Sequence, residues 1–124
     1  MRIDLQTAAE RLKKGEVVAI PTETVYGLAA RYDDLTAIQA VFDLKKRPAS
    51  NPLIIHLPDP ESIAFFVESV PKGFKELAET FWPGPMTLVL PIKEGSVPKT
   101  VTAGLNTQAF RVPDHPITEA LLKM

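Results

Sequence analysis

"LIIHLPDPESIAFFV", residues 53–67, changes character midway. Residues 53–57 are β-rich and apolar apart from His56, the pattern expected of an interior strand covered on both faces. Asp59 and Pro60 then stand as N-cap and first residue of a helix that carries "ESIAFFV". A strand running straight into a helix is the unit of an α/β fold.

The same alternation extends in both directions. Upstream, Leu5, Ala8, Ala9 and Leu12 fall at helical spacing after Asp4, and Gly15 closes the run. "VVAI" (17–20) follows as a short buried strand ended by Pro21. A second helix is expected over 35–44, capped by Asp34, with Leu35, Ile38, Val41 and Phe42 facing inward. Downstream, a helix after Pro71 carries Phe74, Leu77, Ala78 and Phe81. "MTLVLPI" (86–92) reads as another interior strand and "QAFRVP" (108–113) as a fourth strand. A last helix begins near Pro116 with Ile117, Ala120, Leu121 and Met124 at helical spacing. The expectation is one α/β domain over residues 1–124, with helices flanking a sheet of parallel or mixed pairing whose strand order stays open.

Bulk properties narrow the function. Hydrophobic residues make up 45% and charged residues 23% of the 124, an ordinary balance for a globular domain that buries a real core. Fourteen Lys and Arg nearly cancel fifteen Asp and Glu, giving a net charge of −1. No global field therefore draws the chain to nucleic acid or anionic lipid, and any anion must be held by local groups. The absence of cysteine excludes disulfide scaffolds, thiol catalysis and Cys-based zinc sites, and fits a reducing cytoplasm. No apolar stretch is long enough to span a membrane.

The unusual residues cluster beyond the strands. "PTETVYGLAA" (21–30) places Thr22 and Thr24 directly after the first strand, where α/β sheets gather ligands. The plainer reading of these threonines is as caps of a helix starting near Val25, with Tyr26 as core filler and Gly27 as a turn. "KKRPASNPL" (45–53) sets three cations before Pro48, which disfavours helix at Arg47. Extended residues two apart share a side, so Lys45 and Arg47 could grip one polyphosphate while Lys46 points away. Alone, such a triplet fits a solvated face better.

His56, within its apolar run, fits a hydrogen-bonded core residue. His115 reads as a turn or cap residue, and the two histidines lack a metal-ligand spacing. "FWPGPMT" (81–87) reads as a rigid turn with Trp82 a buried anchor. Arg111, in an otherwise apolar strand, needs an anionic partner or an open face. No P-loop is present.

Taken together, "PTETVYGL", "KKRPASNPL", "FWPGPMTLVL" and "VTAGL" with "RVPDHP" resemble, in order and spacing, the YrdC/Sua5 family of threonylcarbamoyl-AMP synthases. The resemblance runs from about residue 5 to the last residue. It implies a YrdC-like open twisted sheet flanked by helices, and an ATP-dependent condensation of L-threonine with bicarbonate that releases pyrophosphate. The product would feed the t6A modification of tRNA in the cytoplasm, bringing tRNA or other proteins of that route as partners. It further implies Thr24, His56 and Arg111 for threonine, and Arg47, Asn51 and Thr107 for ATP. Lys45 and Arg47 would act on the phosphates, with Mg2+ carried by substrate and water and no protein metal site.

One departure bears on activity. The S-x-N motif of the family, which adds ATP contacts, does not occur in these 124 residues. The sequence therefore reads as a domain shortened at its C-terminal end, expected to lack synthase activity until extended through that motif. Two alternatives follow: a YrdC-like module that binds RNA or nucleotide without turnover, and the related carbamoyl-adenylate chemistry of hydrogenase maturation proteins.

Overall fold

The computed structural model describes residues 4–21, 27–45 and 53–123. Helix α1 (Leu5–Lys13) starts where the Asp4 carboxylate accepts the Thr7 amide at 2.7 Å, a bond that holds Asp4 below the usual carboxylate pKa. Its Ala8 and Ala9 are buried, with Leu5 and Leu12 against them, as the spacing predicts. Gly15 ends the helix at φ +86°, and a Cβ there would collide with the Asp34 carboxylate. The glycine thus closes α1 and makes room for the cap of the next helix.

Strand β1 (Val18–Ile20) pairs antiparallel with β2 (Gly27–Ala29), Val18 opposite Ala29 and Ile20 opposite Gly27. This corrects the expectation of a helix starting near Val25 and of Gly27 as a turn. "GLA" carries no β-branched residue, and only its partner strand makes it a strand.

Helix α2 (Leu35–Lys45) is capped by Asp34, whose carboxylate accepts the Ala37 amide at 3.0 Å. Ala37, Ile38, Val41 and Phe42 are buried, whereas Leu35, expected inside, is exposed. Strand β3 (Ile54–His56) leads through Asp59 to a 3-10 helix over Pro60–Phe65, tighter than the α-helix the sequence implies. Helix α3 (Phe74–Phe81) buries Phe74 and Ala78 and leaves Leu77 and Phe81 exposed. Trp82 is the buried anchor expected of it, donating its indole N–H to the Met86 carbonyl at 2.7 Å and meeting Phe74 edge to face. Strand β4 (Leu88–Pro91), the short helix α4 (Lys99–Thr102), strand β5 (Thr107–Arg111) and helix α5 (Pro116–Leu122) complete the order. Nothing in the residue pattern signals α4. His115 caps α5, its Nδ1 accepting the Ile117 amide at 3.2 Å. Thr118 and Leu121 of α5 are buried, while Ile117 faces out.

The α/β mixture is as expected, but the described strands form two sheets. One is the β1–β2 hairpin. The other has the order β3-β5-β4, with β3 parallel and β4 antiparallel to β5. Among the described residues "LIIHL" and "MTLVLPI" therefore flank the central β5, which corrects their reading as interior strands. Ile54 (41% exposed) and Val89 (63%) show the reason. Apolar residues at successive positions do not reveal whether both faces are covered.

Two hydrophobic clusters result. The larger gathers Ile38, Phe42, Ile55, Leu57, Trp82, Leu90 and Phe110 among others, and the smaller joins Ala8, Ala9, Val18 and Ile20 to Leu121. Among the described residues no helix is long and apolar enough to cross a membrane.

Candidate functional site

Strand β5 alternates strictly. Gln108 and Phe110 point into the larger core, while Thr107, Ala109 and Arg111 lie half-buried on the other face. The neighbouring strands follow its register. His56 stands beside Arg111 and Ile54 beside Ala109, and on the other side Val89 meets Ala109 and Pro91 meets Thr107. Partners in register present their side chains to one face. Among the described residues, the three-stranded sheet thus has one face sealed by the core and a more open face carrying the half-buried His56, Arg111 and Thr107.

This arrangement answers two questions that the sequence raises. Arg111 lies half-buried on the face of β5 turned away from the larger core. His56, fifty-five residues earlier, is brought abreast of it by the parallel pairing. Thr107 and Arg111 are four residues apart on one strand, roughly 13 Å at the usual strand rise. The two ends of the open face can thus hold different parts of an extended ligand.

Beside this face lies a cleft of about 810 Å³, at the junction of the two clusters. Ala9, Ile20 and Leu121 come from the smaller cluster and Ile38, Ile55 and Val101 from the larger. Lys13, Arg31, Lys45 and His56 add polar groups, and no carboxylate is among the described lining residues. Such a cleft, apolar in its walls and cationic at a few points, suits an organic anion. Arg31 is held in place by Asp33 at 3.0 Å and by the Lys13 carbonyl at 2.9 Å. The Asp33 hydrogen bond, with its charge, raises the guanidinium pKa further.

Of the residues expected to act, Lys45 and His56 line the cleft, and Thr107 and Arg111 lie on the open face outside its lining. Thr24, Arg47 and Asn51 fall outside the described residues, as do Thr22, Tyr26 and Lys46. Lys45 is the last residue of α2. Lys45 is therefore helical, and the extended geometry expected to set Lys45 and Arg47 on one side does not hold at Lys45. Lys13 and Arg31 were not foreseen. Their only signal is position, since Arg31 follows β2 and Lys13 ends α1, and that signal needs the unrecognised strand. Among the described residues no group of three His, Cys, Asp or Glu side chains is placed to hold a metal ion.

Comparison with known proteins agrees with this geometry. The family model Sua5/yciO/yrdC, described as telomere recombination, matches residues 10–124. A threonylcarbamoyl-AMP synthase of Bacillus subtilis is 45% identical over 116 residues, 94% of this chain and 34% of that protein. One from Pyrococcus abyssi is 45% identical over 120 residues, 97% of this chain and 35% of that protein. The chain therefore spans about a third of the length of these relatives. The crystal structure of P. abyssi Sua5 complexed with L-threonine superposes with a TM-score of 0.91 at 44% identity, covering 99% of this chain and 37% of that one. E. coli YciO gives 0.83 at 25% identity, covering 96% and 57%. With the matched segment taking in nearly every described element, the chain belongs to the Sua5/yciO/yrdC family.

Proposed function

We propose that the chain carries the substrate-binding face of a threonylcarbamoyl-AMP synthase, which joins L-threonine, bicarbonate and ATP into threonylcarbamoyl-AMP and pyrophosphate. The observation that carries this reading is the pairing of His56 and Arg111 abreast on the open sheet face. A guanidinium offers two parallel N–H donors to a carboxylate, and an imidazole beside it can bond a hydroxyl or a carboxylate. Together they suit a small hydroxy amino acid, with Thr24, from the segment between β1 and β2, as a further proposed ligand. The naming of the relatives as threonylcarbamoyl-AMP synthases supports the same substrate.

ATP belongs to the other end. Thr107, Arg47 and Asn51 are its proposed ligands, and Lys45 with Arg47 meets the phosphates. The threonine amine adds to CO2 and loses a proton to give a carbamate; starting from bicarbonate, the new C–N bond replaces a C–O bond and water leaves. A carbamate oxygen then forms a bond to the α-phosphorus as the bond to pyrophosphate breaks. The protein contributes placement of the two reactants and neutralisation of the charge on the departing phosphates. The described cleft offers Mg2+ no carboxylate, so phosphate oxygens and water are its proposed ligands. The product, an activated acyl adenylate, is a donor for the t6A modification of tRNA, which sets this reaction in the cytoplasm.

The test is pyrophosphate release by the full-length protein with ATP, bicarbonate and each amino acid in turn. Release is expected only with threonine and bicarbonate together. Valine is rejected strongly, because it leaves the polar groups of the pocket unpaired. Equal release with serine, valine or no amino acid overturns the reading. ATP binding without release favours a nucleotide-binding module.

A further inference from the structure

Gln108 is a polar residue in an apolar place. It is 2% exposed on the core face of β5, opposite Leu90 and two residues from Phe110. Its Nε2 donates to the Leu53 carbonyl at 2.6 Å and to the Ala109 carbonyl at 2.9 Å. Its Oε1 is buried and has no hydrogen-bond partner among the described residues. An orphaned buried acceptor is costly, so packing alone favours a leucine or methionine at this position. The amide is explained by what it holds.

What it holds is the entrance to β3. Leu53 precedes the strand, and both of its backbone polar groups are tied sideways. Its N–H donates to the Val101 carbonyl of α4 at 2.9 Å, and its carbonyl accepts from Gln108. Leu53 and Val101 both line the cleft. Leu53 is also the first described residue after the basic segment "KKRPASNP". On the same strand, Thr107 sits next to Gln108 on the open face. One buried amide thus connects a cleft wall and the strand that carries Thr107.

We propose that Gln108 is a positioning residue for the ATP end of the site: by clamping the Leu53 carbonyl to β5 it fixes the cleft wall at Leu53 and Val101 relative to Thr107. The inference rests on the functional reading above. Gln108 touches no substrate and acts through Leu53. Its loss changes the placement of groups that meet ATP and spares the His56–Arg111 end, which is held by the β3–β5 ladder itself.

The experiment replaces Gln108 by Leu and, separately, by Met in the full-length protein. Both delete the donor while keeping an apolar side chain of similar size. Steady-state KM and kcat are measured for ATP and for threonine, alongside thermal unfolding. The expected result is a KM for ATP raised about tenfold, the equivalent of one net hydrogen bond, with the KM for threonine changed less than about twofold. A merely structural role lowers the folded fraction and therefore kcat, and leaves both KM values in place. Unchanged KM values in both variants, a parallel rise for both substrates, or failure of both variants to fold each overturns the proposal. Wild-type protein that neither binds nor uses ATP overturns the functional reading and this inference with it. Wild-type activity with indifferent variants overturns this inference alone.

Discussion

The two faces of the three-stranded sheet alternate residue by residue along the same strands, yet they differ in nearly every physical property. On the core face Phe110 is fully buried, with Ile55, Leu90 and Val112 nearly so. On the open face Ile54 and Val89 are exposed, and His56, Arg111 and Thr107 keep partial contact with solvent. The core face is fixed by volume, since a close-packed interior registers the loss of a single methylene. The open face is fixed by register, since the proposed roles of His56 and Arg111 require β3 and β5 in the observed alignment. A shift of one residue in either strand would move His56 or Arg111 to the wrong side. In the proposed reading, stability and function are therefore written into alternate letters of one strand.

The largest effect expected from this contrast is on the core face. Phe110→Ala removes the ring that meets Phe66 at 5.3 Å and leaves a cavity in the larger cluster. Chemical denaturation should show a loss of about 3–5 kcal/mol. A loss below about 1 kcal/mol would mean that the core face is not the one that holds the sheet.

Next comes Arg111→Met, which keeps an apolar stem and deletes the charge. Calorimetric titration of threonine should show binding weakened by about 2 kcal/mol, roughly thirtyfold. Stability should fall by less than it does for Phe110→Ala. A destabilisation as large as that of Phe110→Ala, with threonine binding intact, would erase the division of labour between the faces.

The smallest effect belongs to Val89→Thr, on the open face but away from His56 and Arg111. Less than about 0.5 kcal/mol of stability and no change in either substrate's binding are expected. A larger destabilisation would show that something covers Val89, and the open face would have to be redrawn smaller.

The same contrast explains what could be read from the chain beforehand. Caps were legible because they depend on a few adjacent residues: Asp4, Asp34 and Asp59 each accept the amide three positions on. Trp82 was legible because a large aromatic beside prolines has few places to go except inside. Strand β2 was not, because Gly27, Leu28 and Ala29 have little strand preference and take their conformation from β1. The family motifs picked out His56, Arg111 and Thr107. That these lie on one face, two of them abreast, depends on strand order, to which local pattern is blind. Gln108 lay beyond reach for a related reason, since nothing near it in sequence shows that Leu53 waits across the sheet.

The Thr118 hydroxyl, buried in α5, donates to the Pro21 carbonyl at the end of β1, closing a span of 97 residues. Beside it, Leu121 joins Ala8, Ala9, Val18 and Ile20 in the smaller cluster. That cluster is consequently built from distant parts of the chain, and drawing them together carries a closure entropy of about 4 kcal/mol before any contact rewards it. The larger cluster draws its members from residues 38–112 and can form without α5. On a ribosome, α1 and the β1–β2 hairpin are made early and wait with their apolar sides unmatched until residues 118–121 emerge. The cleft takes its walls from both clusters, so it is complete only once residues 118–121 have joined residues 8–20, and ligand binding waits for that contact.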